Sequence, residues 1–370
     1  MYQFDKRIVM TLDAGGTNFV FSAMQANMEI VEPICLASNS NDLSKCLDSL
    51  LNGFSKVKES LLEPPVAISF AFPGPADYAN GIIGDLPNLK AFRGGVALGP
   101  FLEEKFGIPV FINNDGDLFA YGEAIGGILP EINHKLAEAG SPKRYKNLLG
   151  VTIGTGFGAG VVTNGKLHMG DNGSGGDVWV FRHKKLRDCI TEESVGIESV
   201  KRMYAEFSGN SETDFTPKDI YNIADGVKIG NKDAALQTFA ELGEEAGDTI
   251  AHAVTIVDGL VVIGGGLTGA AKYFMPALMA ELNGTIGKLN GESFPRLEMK
   301  AFNLDNESDT ELFLKGSTQN IEIPGSGKKV IYDSFKRIGV AISKLGASNA
   351  IALGAYAFAL NTLDLDDSNI

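Results

Sequence analysis

The stretch Leu12-Asp13-Ala14-Gly15-Gly16-Thr17-Asn18 constrains this chain most, because one apolar run (Ile8 to Leu12) enters it and another (Phe19 to Met24) leaves it. The pattern predicts a β-hairpin whose turn suits phosphate. Two glycines permit positive φ and a close approach of backbone N–H groups to an anion, and Thr17 and Asn18 add side-chain donors. Asp13, at the end of the incoming strand, repels a bare phosphate but suits a hydrated Mg²⁺ carried by one. The design recurs about 140 residues further on. There, Leu148 to Ile153 runs into Gly154-Thr155-Gly156, and Phe157 to Thr163 returns, closed by an Asn164-Gly165 turn. Two such units in one chain suggest two half-sites for one polyphosphate.

Two rival phosphate motifs fall away. Gly154-x-Gly156-x-x-Ala159 fits a relaxed dinucleotide fingerprint, but that motif must open a helix, and Val161, Val162 and the Asn-Gly turn continue a hairpin. Gly325-Ser326-Gly327-Lys328 resembles part of a P-loop, yet Glu322 stands where its first glycine belongs and Lys329 where Ser or Thr belongs. It reads as a turn.

Composition limits the partners. With 46 acidic and 32 basic residues, the net charge of −14 argues against a nucleic-acid surface. An anionic ligand must then be held by backbone N–H groups, helix ends and a metal. The 370 residues exceed a usual single core, so two domains are expected. No apolar run approaches the ~20 residues of a membrane span, and Met1 to Arg7 has no hydrophobic signal core. A soluble, cytoplasmic protein is expected. Cys35, Cys46 and Cys189 are too widely spaced for a disulfide framework or metal knuckle and read as reduced and mostly buried.

Along the chain, Leu43, Leu47, Leu50, Leu51 and Phe54 give Asn41 to Lys58 the spacing of an amphipathic helix. Val66 to Phe72 is an apolar strand ending in the rigid turn Pro73-Gly74-Pro75, and Asp85-Leu86-Pro87-Asn88-Leu89 is a loop. After a short helix (Pro100 to Phe106), the strand Pro109 to Ile112 ends at Asn113-Asn114-Asp115-Gly116-Asp117, and a helix begins at Leu118. A carboxylate there lies where open α/β sheets bind ligands. One of Asp115 and Asp117 is expected to cap the helix. The other is free for phosphoryl transfer, which asks of side chains little beyond a positioned base. Gly170 to Trp179 is a glycine-rich loop whose Asp171, Asn172 and Asp177 are either solvated or bind hydroxyls.

Further helices are expected at Gly196 to Phe207, Ala234 to Val257 and Ala270 to Asn283, with the strand Leu260 to Ile263 running into Gly264-Gly265-Gly266, where a flat ring can approach the backbone. Alternating short runs from Leu297 to Tyr332, such as Glu311 to Leu314 and Ile321 to Ile323, read as a β-rich insertion. A small-residue helix, Ala347 to Leu360, and an acidic tail close the chain.

In their order, Asp-x-Gly-Gly-Thr-Asn, Gly-Thr-Gly, Gly-Gly-Gly and a closing small-residue helix resemble the sugar kinase, Hsp70 and actin superfamily. Within it, Pro73-Gly74-Pro75, Pro87-Asn88-Leu89, Asn114-Asp115 with Ala120-x-Gly122-Glu123, and Gly173-x-x-Gly176-Asp177 resemble the ROK family of bacterial sugar kinases and repressors. The resemblance implies the α/β, two-domain actin-like ATPase (ribonuclease H-like) fold with an interdomain cleft. Its expected domains are 1–117 with 345–370, and 118–344 with the insertion near 297–332. It implies that Asp115 is the catalytic base and that Asn88, Asn114 and Asp177 contact the sugar. Glu192, in Thr191-Glu192-Glu193, joins the candidate sugar contacts. Asp13 (Mg²⁺, through water), Gly15, Gly16, Thr17 and Asn18 form the first phosphate site, Gly154, Thr155 and Gly156 the second, and Gly264, Gly265 and Gly266 the adenosine site. ATP and Mg²⁺ are the implied cofactors, a hexose the substrate and a homodimer the usual assembly.

The chain departs from the family at two places. Asp177 stands where Glu is usual, one methylene shorter. Val180 stands where a zinc-ligating, sugar-contacting His is usual, and Arg182 to Glu193 offers only Cys189 and a displaced His183, too few for a tetrahedral zinc. The repressors' helix-turn-helix extension is not expected, since the first strand begins by about Ile8. The leading expectation is an ATP-dependent, glucokinase-type hexose kinase. An N-acetylamino-sugar or fructose kinase and a non-catalytic sugar sensor are the alternatives.

Overall fold

The computed structural model describes residues 1–74, 76–84, 92–209 and 214–367; Pro75 and the segment carrying Asn88 lie outside the described residues. The chain divides into two compact units. The first comprises Met1–Gly127, Gly165–Gly176 and Leu345–Ile370, and the second Ile128–Asn164 and Asp177–Lys344.

In the first unit β1 (Val9–Ala14) and β2 (Asn18–Gln25) are antiparallel, with register running from Val9↔Met24 to Ala14↔Phe19. With β3 (Met28–Glu29), β4 (Ile34–Ala37), β5 (Ala67–Ala71) and β9 (Val110–Asn113) they form a sheet of order β3-β2-β1-β5-β9, β4 pairing with the other edge of β2. The strands β1, β5 and β9 run parallel, so their C-terminal ends share one side. Helix α1 (Leu43–Ser60) covers the sheet as its spacing predicts, burying Cys46, Leu50, Phe54 and Val57. Its Phe54 meets Phe21 of β2 edge-on at 5.0 Å. Three short strands, β6 (Ala76–Asp77), β7 (Ile82–Ile83) and β8 (Val96–Ala97), precede α2 (Leu98–Phe106).

The boundary falls at Gly127 rather than at 117 because α3 (Asp115–Gly126) packs on the C-terminal helix α10 (Ala347–Asp367). A side chain on Gly122 would run into the Ala350 carbonyl oxygen, and one on Gly354 into that of Leu118, so the two backbones lie in contact. The expected acidic tail is helical through Asp367, and Asp364 accepts hydrogen bonds from Arg7 Nη1 at 2.6 Å and Tyr2 Oη at 3.1 Å.

The second unit opens with α4 (Ile128–Glu138) and is built on a sheet of order β11-β10-β13-β19-β16. Here β10 (Leu148–Ile153) and β11 (Phe157–Thr163) form the second hairpin in the expected register, Leu148↔Val162 to Ile153↔Phe157. Asn164 and Gly165, with φ of +52° and +75°, then turn the chain into β12 (Lys166–His168). Parallel to β10 run β13 (Leu260–Gly264), β19 (Arg337–Ile342) and β16 (Lys300–Asn303). Helices α5 (Ile197–Ser208), α6 (Pro217–Ala224), α7 (Lys232–Val257) and α8 (Ala271–Leu282) bury Met203, Ile220, Phe239, Leu242, Ile250 and Phe274 in its core.

The segment near 297–332 is not uniformly β. Glu311 to Leu314 lies in helix α9 (Glu307–Lys315), started by Asn306, whose Oδ1 accepts from Asp309 N at 3.1 Å. The core strand β16 also falls in this segment. The extended pieces flanking it are the hairpins β14 (Thr285–Gly287) with β15 (Ser293–Pro295), and β17 (Thr318–Glu322) with β18 (Lys329–Asp333). Gly325 and Gly327, at φ of +73° and +62°, turn the second hairpin, where the P-loop fragment was read as a turn. Cys46 is buried as expected, but Cys35, on an outward position of β4, and Cys189, on a loop, are exposed.

Candidate active site

In the first unit the turn after β1 differs from its sequence reading in one respect: neither Gly15 nor Gly16 has positive φ. Gly15 is required by proximity, since a Cβ there would stand 2.8 Å from the Asn18 carbonyl oxygen. Gly16 opens onto free space, with nothing within 4 Å of a Cβ. Ser38 and Ser40 fix the turn from behind, their hydroxyls donating to Gly16 O at 2.6 and 3.1 Å. Asp13, Thr17 and Asn18 are exposed around that opening.

At the end of β9, Asn114 caps α3, its extended backbone (φ −70°, ψ 148°) placing Oδ1 2.8 Å from Gly116 N. The cap is thus neither Asp115 nor Asp117. Asn114 precedes the first helical residue, which is where a side-chain acceptor reaches the second amide of the helix. Asp115 also accepts from Gly116 N, at 2.9 Å, and as a residue it is exposed. Protein crowded around the carboxyl raises its pKa above the usual carboxylate value, and the Gly116 bond opposes that. Asp117 is buried, 4% exposed. Two polar residues here were missed by the sequence reading. Asn113 is fully buried, and its Nδ2 has no partner among the described residues. Tyr78, bonded to Phe72 O at 2.9 Å, lines with Asn80, Asp117, Asn172 and Gly173 a cleft of about 400 Å³. The only sequence signal for either was a polar residue beside an apolar strand.

In the second unit the turn Gly154-Thr155-Gly156 is closed by Gly154 N donating to Gly156 O at 3.0 Å, and Ile197 N donates to Gly154 O at 2.9 Å. Glu192 reaches it from the side: Oε2 accepts from Phe157 N at 2.7 Å. The structure therefore places this carboxylate on the turn. Gly264-Gly265-Gly266 ends β13 beside it, since a Cβ on Gly154 would lie 3.7 Å from Gly266 N. Gly265, at φ +96°, has no room for a side chain against the Ile153 backbone, while Gly266 faces open space. The Gly154-Thr155-Gly156 and Gly264-Gly265-Gly266 turns are thus neighbours. Asp177 is exposed, and Val180 of the following 3₁₀ turn (Val178–Val180) is 48% exposed.

The sequence profile of the ROK family matches residues 9–302. The chain belongs to the ROK family. Over 175 residues it is 30% identical to a glucokinase of Halalkalibacterium halodurans, covering 45% of this chain and 47% of that one. Over 170 residues it is 30% identical to an N-acetyl-D-glucosamine kinase of Vibrio cholerae, covering 46% and 51%. The chain spans about half the length of these two curated relatives. Among solved structures, a glucokinase from Parabacteroides distasonis is 58% identical, with a TM-score of 0.89 over 98% of this chain and 99% of that one. A ROK family glucokinase from Streptomyces griseus, in complex with glucose and AMPPNP, shares the fold at 16% identity and a TM-score of 0.60, over 95% and 98% of the chains. The fold is the two-domain, actin-like α/β fold of ROK sugar kinases.

Proposed function

We propose that this ROK protein is an ATP-dependent hexose kinase of the glucokinase type. The observation that carries the reading is Asp115: an exposed aspartate at the start of α3, directly after a parallel strand, in a chain with two strand–Gly/Thr–strand turns. Likeness to a glucokinase over nearly the whole of both chains supports it. In the proposed step Asp115 takes the proton of a sugar hydroxyl as its oxygen bonds to the γ-phosphorus, the bond to the β,γ-bridging oxygen breaks, and ADP leaves. Asn88, Asn114 and Asp177 are the proposed sugar contacts. The same role was expected of Glu192, but its bond to the Phe157 amide favours holding the turn.

The residues present fit ATP and Mg²⁺. Gly16 and Gly266 leave open space beside backbone, as close phosphate or ring approach requires, and the exposed Asp13 carboxylate suits a hydrated cation. ATP supplies the phosphoryl group, and Mg²⁺ offsets its charge. We assign Asp13, Gly15, Gly16, Thr17 and Asn18 to the first phosphate site, Gly154, Thr155 and Gly156 to the second, and Gly264 to Gly266 to adenosine. No described helix is long and apolar enough to cross a membrane; a cytoplasmic homodimer is our reading of its setting.

An N-acetylamino-sugar kinase is the second reading, favoured by the likeness to an N-acetyl-D-glucosamine kinase and by the shorter Asp177. A coupled ADP-release assay with ATP and Mg²⁺ over glucose, mannose, fructose and N-acetylglucosamine tests both. Glucose is expected to give the highest kcat/KM. Highest turnover of N-acetylglucosamine would transfer the assignment, and no ADP release with any sugar would leave the sensor reading.

A further inference from the structure

Helix α7 carries one buried acid on a mostly apolar face. Glu245 is 1% exposed among Leu242, Ala246 and Ile250. Burying a carboxyl without partners is costly, and the neighbouring lysines do not serve it: Lys184 Nζ bonds Glu244 and Glu281, each at 2.7 Å, and Lys185 Nζ bonds Glu241 at 2.6 Å, while the buried His183 ring stands against it, Nδ1 3.3 Å from Glu245 Oε2. The partners of Glu245 come instead from the loop after Val180. Its Oε1 accepts from Lys184 N at 3.0 Å and from Thr191 Oγ1 at 3.1 Å. Thr191, fully buried, also lies 2.8 Å from Thr249 Oγ1, one turn further along α7. The loop is closed on itself by Thr191 N to Phe181 O at 2.8 Å and His183 N to Cys189 O at 3.0 Å. His183 accepts the Lys185 and Leu186 amides at Nδ1, both at 3.1 Å.

The next residue after Thr191 is Glu192, which holds the Gly154-Thr155-Gly156 turn through the Phe157 amide. A buried anchor thus stands one peptide from the side chain that fixes the turn. We propose that Glu245 is a positioning residue for the nucleotide-phosphate turn, acting through Thr191 and Glu192; this rests on reading that turn as a phosphate site. All links in the chain of contacts lie within the second unit.

The test combines amide hydrogen exchange at Phe157 in the nucleotide-free protein with KM for ATP and for the sugar. Thr191→Val keeps the shape and removes the hydroxyl. It is expected to lose protection at the Phe157 amide and to raise KM for ATP about tenfold, with the sugar KM changing far less. Glu245→Leu is expected to do the same, and Glu245→Gln, which keeps the Oε1 acceptor, to restore both readouts to within about twofold. Because the residues act in series, Thr191→Val with Glu192→Ala should be no worse than Glu192→Ala alone. If Glu192→Ala raises KM for ATP while Thr191→Val leaves both readouts unchanged, the positioning role is overturned and the phosphate reading stands. If Glu192→Ala exposes the Phe157 amide yet leaves KM for ATP unchanged, the phosphate reading of the turn fails, and the proposal with it. Thr191→Val carries the test should Glu245→Leu not fold.

Discussion

Glu192 occupies the space that a side chain on Gly156 would need: its Oε2 lies 2.6 Å from where that Cβ would stand, and bonds the next amide at 2.7 Å. Gly156→Ala should push this flexible carboxylate off the turn and cost only about 1 kcal/mol of stability. The loss should fall on the nucleotide, with KM for ATP rising about tenfold and the melting temperature shifting by a few degrees. A variant with parental KM for ATP would show that the contact does not serve the nucleotide.

Asp115→Asn should lower kcat by about 10²- to 10⁴-fold while sugar affinity stays close to parental, because a general base acts mainly in the transition state. The carboxyl must be ionised to accept the proton, so activity is present above its pKa and lost as pH falls through it. Crowding raises that pKa above the ordinary 3.8. The acid limb of kcat/KM should therefore begin at higher pH than for an unperturbed aspartate. A limb centred at or below 3.8 would contradict the raised value.

Where α3 crosses α10, Gly354→Ala should cost about 3 kcal/mol, since the new methyl meets the Leu118 carbonyl on a rigid helix backbone. Gly16→Ala, with nothing within 4 Å of its Cβ, serves as the contrast. It should leave stability nearly unchanged and weaken ATP. Chemical denaturation of the two variants separates these effects. Equal midpoints would mean that the helices can move apart cheaply.

The purified protein should contain no stoichiometric zinc. Both His183 ring nitrogens are engaged, Nε2 with Ser194 Oγ at 2.8 Å and Nδ1 with two amides, and Cys189 is exposed. A structural zinc needs about four such ligands free to converge. Elemental analysis giving one zinc per chain would overturn this, and EDTA should leave activity intact once Mg²⁺ is restored.

Much of this was legible in the sequence, for reasons particular residues make plain. The β10–β11 hairpin was readable because two apolar runs flank a Gly/Thr turn and an Asn-Gly pair ends the second. The helix cap was misread because Asn114, Asp115 and Asp117 all have capping chemistry, and only the extended backbone at Asn114 decides among them. Glu311 to Leu314 is too short for periodicity to separate helix from strand; Asn306 and the buried Phe313 settle it. Glu245 had no sequence signal, since its meaning lies in a loop about sixty residues away. Asn88, a proposed sugar contact, lies outside the described residues.

The last prediction uses the only tryptophan. Trp179 stands two residues beyond Asp177 in the proposed sugar loop and is 39% exposed, whereas its neighbour Val178 is buried. A ring so placed is not a core anchor, and its contact with water can change when the loop orders around a ligand. Emission should shift to the blue and saturate with the sugar that best supports ADP release, and shift little with that sugar's epimers. Asp115→Asn should show the same shift without turnover, which separates binding from chemistry. Unchanged emission with a sugar that is plainly phosphorylated would mean that Trp179 does not sense the loop. A shift with a sugar that is never phosphorylated would instead point to the sensor reading.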